Sequence, residues 1–531
     1  MGRLHRNLRY FPLCTPYSSL PLVFRALYTL LAGAMLWVGI GVSGAQDATP
    51  ATTAPATAAP NVKRAEKVSL ATELEQKVIA ETKSASEIMA NLTYLSDVIG
   101  PRLTGTAALK KANDWAAEKM KAYGLTNVHL ESWELPEGWE RGFARGRVIE
   151  PDNQRVLQLA SNAWSPGTKD VIEGDVVFLN ASNQSELAPY RGKLKGAIIL
   201  MGPPVQLRDL AEMDKPGGMF FNALAPKQSG RGFGGFGFGR FREDFATKEG
   251  AAVILSDASA PLGLLSTGGP WLGADRPSAS NRLPSVTVVH EQYAMLYRLA
   301  TRPPPARTRI EIEVSNKFVP GPVTIYNTVG EIRGSEKPDE IVVLGAHLDS
   351  WDLGQGTLDN GTGVAVVLET ARQLARCGTP PKRTLRFILF TGEEQGLLGS
   401  NAYVKQHKAE LPRISACVIH DTGTGKVTGL GWTNRPELKP VIESELSVLK
   451  ELGVEQLVAR SFPGSDHVPF ERSGVPSCMF NQEIAGYRIA HHTSADTLDM
   501  AHEPDLIQGA QVMAVTALRL ANREEMLPRK R

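Results

Sequence analysis

The chain has 531 residues, 42% of them hydrophobic and 21% charged, the make-up of a soluble globular protein with several domains and full cores. The formal net charge is +2, and no basic cluster interleaved with aromatic residues occurs, which argues against nucleic acid as a partner. Four positive charges, Arg3, Arg6, Arg9 and Arg25, fall in residues 1–45 where there is no acid, so the rest of the chain carries −2 and has no claim on a polyanion.

The N-terminus reads as an export signal over residues 1–45. An arginine-bearing segment precedes an uncharged, mostly apolar run over 26–45 that ends in Ser43-Gly44-Ala45, the small residues that signal peptidase requires. The competing reading is an uncleaved anchor, because a 20-residue run can just span a bilayer. Glycine and small residues in its C-terminal half favour cleavage. The expectation is an exported protein, periplasmic or secreted, with no stable membrane span once the signal is removed. Only Cys377, Cys417 and Cys478 would then remain, and three cysteines cannot all pair, so buried free thiols are expected. Residues 46–62, rich in Ala, Thr and Pro, read as a disordered linker.

Residues 63–126 read as helical. Leu74, Val78, Ile79, Ile88, Met89, Leu92 and Leu95 form one apolar stripe that Gly100-Pro101 stops, and a second helix over 107–123 is closed by Gly124. Residues 127–315 differ, with short β-rich runs and Gly/Pro punctuation; 174–179 and 197–200 are predicted strands, and 251–255 is a further apolar run. Between them, RGFGGFGFGR (231–240) reads as a mobile loop near a substrate or as a purely structural excursion, and the mobile loop is the expectation. Over 316–531 strands at 341–345, 385–390 and 414–419 alternate with helices at 363–377, 399–407, 438–452 and 506–522. Almost wholly apolar strands separated by helices predict an α/β fold, its mostly parallel sheet covered on both faces. Ligands in such sheets bind at the carboxyl ends of the strands.

That rule sorts the polar residues. His347 and Asp349 follow the strand IVVLGA, Glu393 and Glu394 follow LRFILFT, and His420 and Asp421 close ISACVI. Asp359 lies in TLDNGTG, just before a helix, where its bland reading is an N-cap or an Asp-Asn-Gly turn. Glu393-Glu394 alone would be a solvated pair, and His347-x-Asp349 a loop hydrogen bond. Their coincidence at one sheet edge favours a metal site. Two divalent ions about 3.5–4 Å apart need a shared carboxylate, and imidazole plus carboxylate without thiolate suits zinc, with cobalt or manganese also able to bind. Asp349 is placed to hold the His347 ring in its ligating tautomer. Adjacent glutamates can divide labour between metal binding and proton removal from water. His491-His492 precede Ser494-Ala495-Asp496 in a loop-like cluster, and Ser465-Asp466-His467 sits in another loop where a pocket-lining role and a structural hydrogen bond are equally open.

The set HLD (347–349), LDNGTG (358–363), TGEEQGLLGS (391–400), HDTG (420–423), SDH (465–467) and HHTSADT (491–497) resembles the co-catalytic zinc aminopeptidase and glutamate carboxypeptidase family. The resemblance covers residues 320–525, reaches IGPRLTGT (99–106), and extends more loosely to 190–200, 249–255 and 283–288, which look like a protease-associated domain inserted at 127–315. It implies a zinc-exopeptidase fold and two Zn2+ per chain. Asp359 would bridge the ions, His347 and Asp421 would complete one site, and Glu394 with His492 the other, although the doubled histidine leaves His491 open. It further implies Glu393 as general base on a metal-bridging water and Asp349 as orienter of His347. Tyr487, a few residues before the histidines, is a candidate oxyanion donor, and Tyr487 and His467 are the candidate substrate-binding residues. Small peptides or dipeptides are the implied substrates, and a homodimer is compatible with the resemblance. The rivals are a glutaminyl cyclase-type acyl transferase, which needs one zinc, and an inactive binding protein on the same fold, which would lack a ligand or the base.

Overall fold

The runs IVVLGA, LRFILF and ISACVI have no polar face to turn to water, and in the computed structural model they are adjacent strands in the middle of one sheet. The structure describes residues 71–151, 154–207, 235–266, 268–269, 282–303, 307–432, 435–462, 464–484 and 486–529. The expected signal segment and the linker lie outside the described residues, and among those described no helix is long and apolar enough to cross a membrane.

The described chain opens with α1 (Glu73–Ser84), started by a reciprocal cap in which Thr72 and Glu75 each bond the other's backbone N–H. The apolar stripe does not continue as one helix. It breaks before α2 (Ile88–Thr93), where the Glu87 N–H donates to Glu369 at 3.1 Å and Arg372 donates to the Ala85 carbonyl. A turn ending at Gly100, with φ +80°, leads to α3 (Ala107–Ala122).

β1 (Thr126–Leu135) and β2 (Gly138–Glu140) follow, and the chain then leaves for a second sheet. That excursion contains β3 (Ala144–Glu150), β4 (Leu159–Ser161), β5 (Ile172–Phe178), β6 (Ile198–Leu200), α4 (Gly235–Lys248), β7 (Val253–Asp257), β8 (Ser285–Val288), α5 (His290–Thr301) and β9 (Arg309–Val314). Its seven strands are ordered β3-β9-β5-β6-β7-β8-β4. The chain returns through β10 (Lys317–Val319), which pairs with β2, and β11 (Val323–Ile332), which pairs antiparallel with β1. Residues 126–135 therefore belong to the first sheet although the sequence reading starts the insert at 127. Their side chains are mostly half-buried or exposed, so an edge strand of the main sheet carries no more apolar signal than a strand of the insert.

Of the segment 231–240 expected to be a mobile loop, residues 231–234 lie outside the described residues, and from 235 onward the chain forms the first turns of α4. Farther along that helix Phe245 and Ala246 pack with Leu179, Leu187, Leu194 and Ile199, and this tertiary contact outweighs the low helix propensity of the glycines.

The remainder is β12 (Lys337–His347), α6 (Thr362–Arg376), β13 (Arg383–Phe390), α7 (Leu398–Gln406), β14 (Ile414–Ile419), β15 (Val427–Trp432), α8 (Lys439–Glu445), β16 (Gln456–Ala459), α9 (His467–Arg472), β17 (Ser477–Gln482), α10 (Tyr487–Ala490) and α11 (Glu503–Asn522). The main sheet has eight strands in the order β1-β11-β13-β12-β14-β17-β15-β16, and β13, β12, β14 and β17 run parallel. Alternation along β12 shows both faces covered. Val342, Leu344 and Ala346 enter the core shared with α6 and α11, whereas Ile341 and Val343 enter the one containing Tyr403 of α7 and Phe470 of α9. The mixed, helix-covered α/β sheet expected from the sequence is the fold observed.

Candidate metal centre

β12 ends on His347, β13 on Phe390 just ahead of Glu393, and β14 on Ile419 just ahead of Asp421. β12 lies between the other two, with His347 opposite Phe390 and Gly345 opposite Ile419, so parallel pairing delivers all three loops to the carboxyl edge. Asp359 enters from the turn Thr357–Gly361 that leads into α6, and its peptide bond to Asn360 is cis. The capping role suggested by Asp-Asn-Gly falls to Asn360, whose Oδ1 accepts from the Gly363 N–H at 3.0 Å while Nδ2 donates to the His420 carbonyl at 2.8 Å. The Asp359 carboxylate is thereby left to face the site.

Its two oxygens face different histidines. Oδ1 lies 3.3 Å from His347 Nε2, and Oδ2 lies 3.3 Å from His492 Nε2. His347 Nε2 is also 3.1 Å from Asp421 Oδ1, and His492 Nε2 is 3.0 Å from Glu394 Oε2. His491 stacks on His492 with ring centroids 3.6 Å apart, but its Nε2 is farther from Asp359 Oδ2, at 3.8 Å. The structure thus brings His347, Asp359, Glu394, Asp421, His491 and His492 together, and Asp359 is common to two triads able to hold a cation, His347–Asp359–Asp421 and Asp359–His491–His492.

Asp349 buttresses this cluster without joining either triad. Its backbone carbonyl is 3.0 Å from His347 Nδ1, a contact that orients the ring and turns Nε2 toward Asp359 and Asp421. The Asp349 carboxylate accepts from the Thr104 hydroxyl at 2.9 Å and from the Glu393 and Glu394 N–H groups at 3.3 and 3.4 Å. It therefore aims the paired glutamates, a role the sequence reading had given it only toward His347.

The electrostatics suit a cation. Burial and then neighbouring carboxylates hold the protonation of Glu393 and Glu394 well above the ordinary carboxylate range. Burial works against charge on His347, yet Asp421, Asp349 and Asp359 outweigh it and hold its proton affinity well above normal. Asp359 Oδ2 and Glu394 Oε1 are buried and accept no hydrogen bond, a costly state for carboxylate oxygens that coordination relieves. On the chemistry of its donors, nitrogen and oxygen with no sulfur, the cluster fits zinc.

Tyr487 is buried at the start of α10, its ring 5.4 Å from that of His491, and burial followed by the charges of Asp359, Asp421 and Glu394 keeps its hydroxyl protonated. His467 is fully buried with Nε2 2.9 Å from Ser461 Oγ, and burial pushes it down to about 4. His420 points into the core beside Phe480, and burial pushes it down to about 3. Two residues without a role in the sequence reading support the site. The buried Arg102 guanidinium donates to the carbonyls of Leu348, Gly100, Gln355 and Gly356 at 2.6–3.0 Å, tying down the loop after β12. Asp496 accepts from the N–H groups of Leu358 and Asp359. Both lie inside the motifs IGPRLTGT and HHTSADT, which were the available signals.

A parallel-stranded α/β scaffold that gathers buried histidines and carboxylates at its carboxyl edge is that of a metal-dependent hydrolase. The chain belongs to peptidase family M28, whose profile matches residues 327–517. Carboxypeptidase Q from Pongo abelii is 30% identical over 457 residues, covering 84% of this chain and 88% of that protein. The crystal structure of a peptidase M28 precursor from Shewanella amazonensis is similar at 27% identity and a TM-score of 0.70, covering 86% of this chain and 97% of that one. A zinc aminopeptidase from Bacillus subtilis shares the fold at 22% identity and a TM-score of 0.56, over 81% of this chain and 93% of that one. The family resemblance read from the motifs is borne out, and the protein is a peptidase.

Proposed function

We propose that this peptidase is an exported two-zinc exopeptidase acting on small peptides or dipeptides. The observation that carries the reading is the Asp359 carboxylate, which turns one oxygen to His347 and the other to His492. His347 and Asp421 would hold one zinc, Glu394 and His492 the second, and Asp359 would join them. His492 is preferred to His491 because it alone of the two lies 3.0 Å from Glu394. When bound, the ions would polarise the scissile carbonyl and acidify the attacking water. Glu393, held by Asp349 through its N–H, takes the proton from that water and returns it to the leaving amine. The protonated Tyr487 hydroxyl is suited to donate to the developing oxyanion. Exopeptidase action is supported by the carboxypeptidase and aminopeptidase names of the relatives, and the sheet over 144–314 supports reading the insert as a protease-associated domain.

The test is cleavage of a dipeptide panel, free or blocked at each terminus, with zinc counted per chain and with or without chelator. Chelator-sensitive cleavage that needs one free terminus, on protein holding two zinc ions, is expected. Efficient cleavage of doubly blocked peptides, or full activity with one zinc, would overturn the reading.

A further inference from the structure

The second sheet does not stand clear of the metal centre. A segment between β7 and β8 reaches across and pairs with the loop that carries His491 and His492. Ser266 and Thr493 form an antiparallel bridge, the Ser494 N–H donates to the Leu265 carbonyl at 2.8 Å, and the Leu265 N–H donates to Ser494 Oγ at 3.2 Å. A second contact arrives by another route. Trp351 packs edge-on against His492 with ring centroids 5.8 Å apart, and Gly269 of the insert sits so close to it that a Cβ there would lie 3.1 Å from Trp351 Cη2. Asp352, next in the chain, is held by Nε and Nη2 of Arg141, each at 2.7 Å, and Arg141 directly follows β2, just before the chain enters the second sheet.

On the opposite side the same histidine loop rests on the catalytic domain. The Gln355 N–H donates to the Asp496 carbonyl at 2.6 Å, and Asp496 holds Leu358 and Asp359. The loop is therefore clamped between two sheets. His347, Asp421 and Asp359 sit on strand ends or at a helix start within one sheet, whereas the insert contacts the element that supplies the second half-site's histidine.

We infer that the inserted sheet is a positioning element for the second metal half-site, holding the His491–His492 loop through Leu265–Ser266 and through Trp351. The inference rests on the two-zinc reading and adds that metal retention is graded, with the Asp359–Glu394–His492 half-site depending on insert residues that touch no metal. Ligand geometry tolerates errors of only a few tenths of an ångström, so loosening one support of a ligating loop weakens that site selectively.

The test uses the full-length protein and substitutions confined to the insert, Leu265→Pro, which deletes the N–H donated to Ser494, and Gly269→Leu, which crowds Trp351. Leu262→Ser, at a 76% exposed position in the same loop, is the control. Zinc per chain is measured by atomic emission after dialysis against graded chelator, and cobalt-substituted protein is followed by its visible absorption. The wild type and Leu262→Ser are expected to hold two ions. Both insert variants should keep the tighter ion, which reports an intact fold, and lose affinity for the weaker one by about 10-fold or more. Two ions held with unchanged affinities in both variants would overturn the inference alone. Equal loss of both ions would overturn the selective role, and one ion in the wild type would overturn the two-zinc reading and this inference with it.

Discussion

Asp496 grips the backbone of Asp359 across 137 residues of sequence, its Oδ2 accepting the Asp359 N–H at 3.3 Å while Oδ1 takes the Leu358 N–H at 2.6 Å. The carboxylate shared by the two triads thus has its main chain fixed by a second, non-ligating acid. Burial, and then the charge of Asp359, push Asp496 up to about 7, so its cost is accepted for the two N–H bonds it makes. Asp496→Asn puts an amide N–H against one of those donors. Zinc affinity should fall about 10–100-fold, measured by chelator competition, with activity restored at raised zinc. An unchanged affinity would show that Asp359 is held by its own turn.

Neither glutamate belongs to the two cation-binding triads, but Glu394 Oε2 lies 3.0 Å from His492 Nε2, and Glu393 is its neighbour in the chain. Glu393→Gln keeps the size and the N–H bonded to Asp349 but removes the base. Turnover should drop about 10²–10⁴-fold with zinc content unchanged, read by kcat beside metal analysis. Glu394→Gln should instead lose the weaker ion. If the two variants behaved alike, the division of labour assigned to the pair would be wrong.

How far the site was legible follows from how each residue is delivered. His347, Glu393, Glu394 and Asp421 follow apolar strands, and a parallel sheet must bring such strand ends together, so position in sequence predicted position in space. Asp359 was legible from its turn, but its backbone support was not, because Asp496 acts through main-chain N–H groups that any residue except proline at 358 and 359 would present. Arg102 was hidden for the same reason, since all four of its acceptors are carbonyls. Between His491 and His492 the resemblance favours His492, and its 3.0 Å approach to Glu394 supports the same preference, whereas periodicity offers nothing to separate neighbours in a loop. β1 and α4 were misread where burial is shallow or where packing overrides glycine, both of which are tertiary effects.

Removing metal should cost stability as well as activity. Glu394, Asp359 and Asp421 lie buried within reach of one another's charge, and a cation bound only by the folded state adds stability by mass action. Free zinc at a hundredfold excess over its Kd should raise the unfolding free energy by about 2.7 kcal/mol, seen as a higher denaturant midpoint. Asp359→Asn, which weakens the ligand shared by both triads, should flatten that zinc dependence. A midpoint indifferent to zinc in the unsubstituted protein would sink the assignment of the cluster as a metal centre.

Far from the metal centre, a charged cluster joins β1 to the end of α7. His407 lies between Glu131, 3.0 Å from Nε2, and Glu410, 2.9 Å from Nδ1, and Arg386 also binds Glu410 at 2.7 Å. The hydrogen bond to Glu131 raises the His407 pKa above 6.5, burial opposing it and the charges of Glu131 and Glu410 assisting. Burial favours the neutral form of Glu131, but the bonds from His407 and His129 prevail and hold it below 4.5. A raised histidine contributes stability that is full below its unfolded pKa and disappears as pH rises through the folded value, whereas a depressed carboxylate loses its contribution as pH falls. The stability difference between wild type and His407→Gln should therefore be largest between about pH 4.5 and 6.5, near 1 kcal/mol, and shrink on both sides. Urea unfolding of the two proteins across pH 4–8 measures it, and a difference that grew toward pH 8 would show that the neutral ring, through packing on Tyr403 at 4.2 Å, is what stabilises this corner.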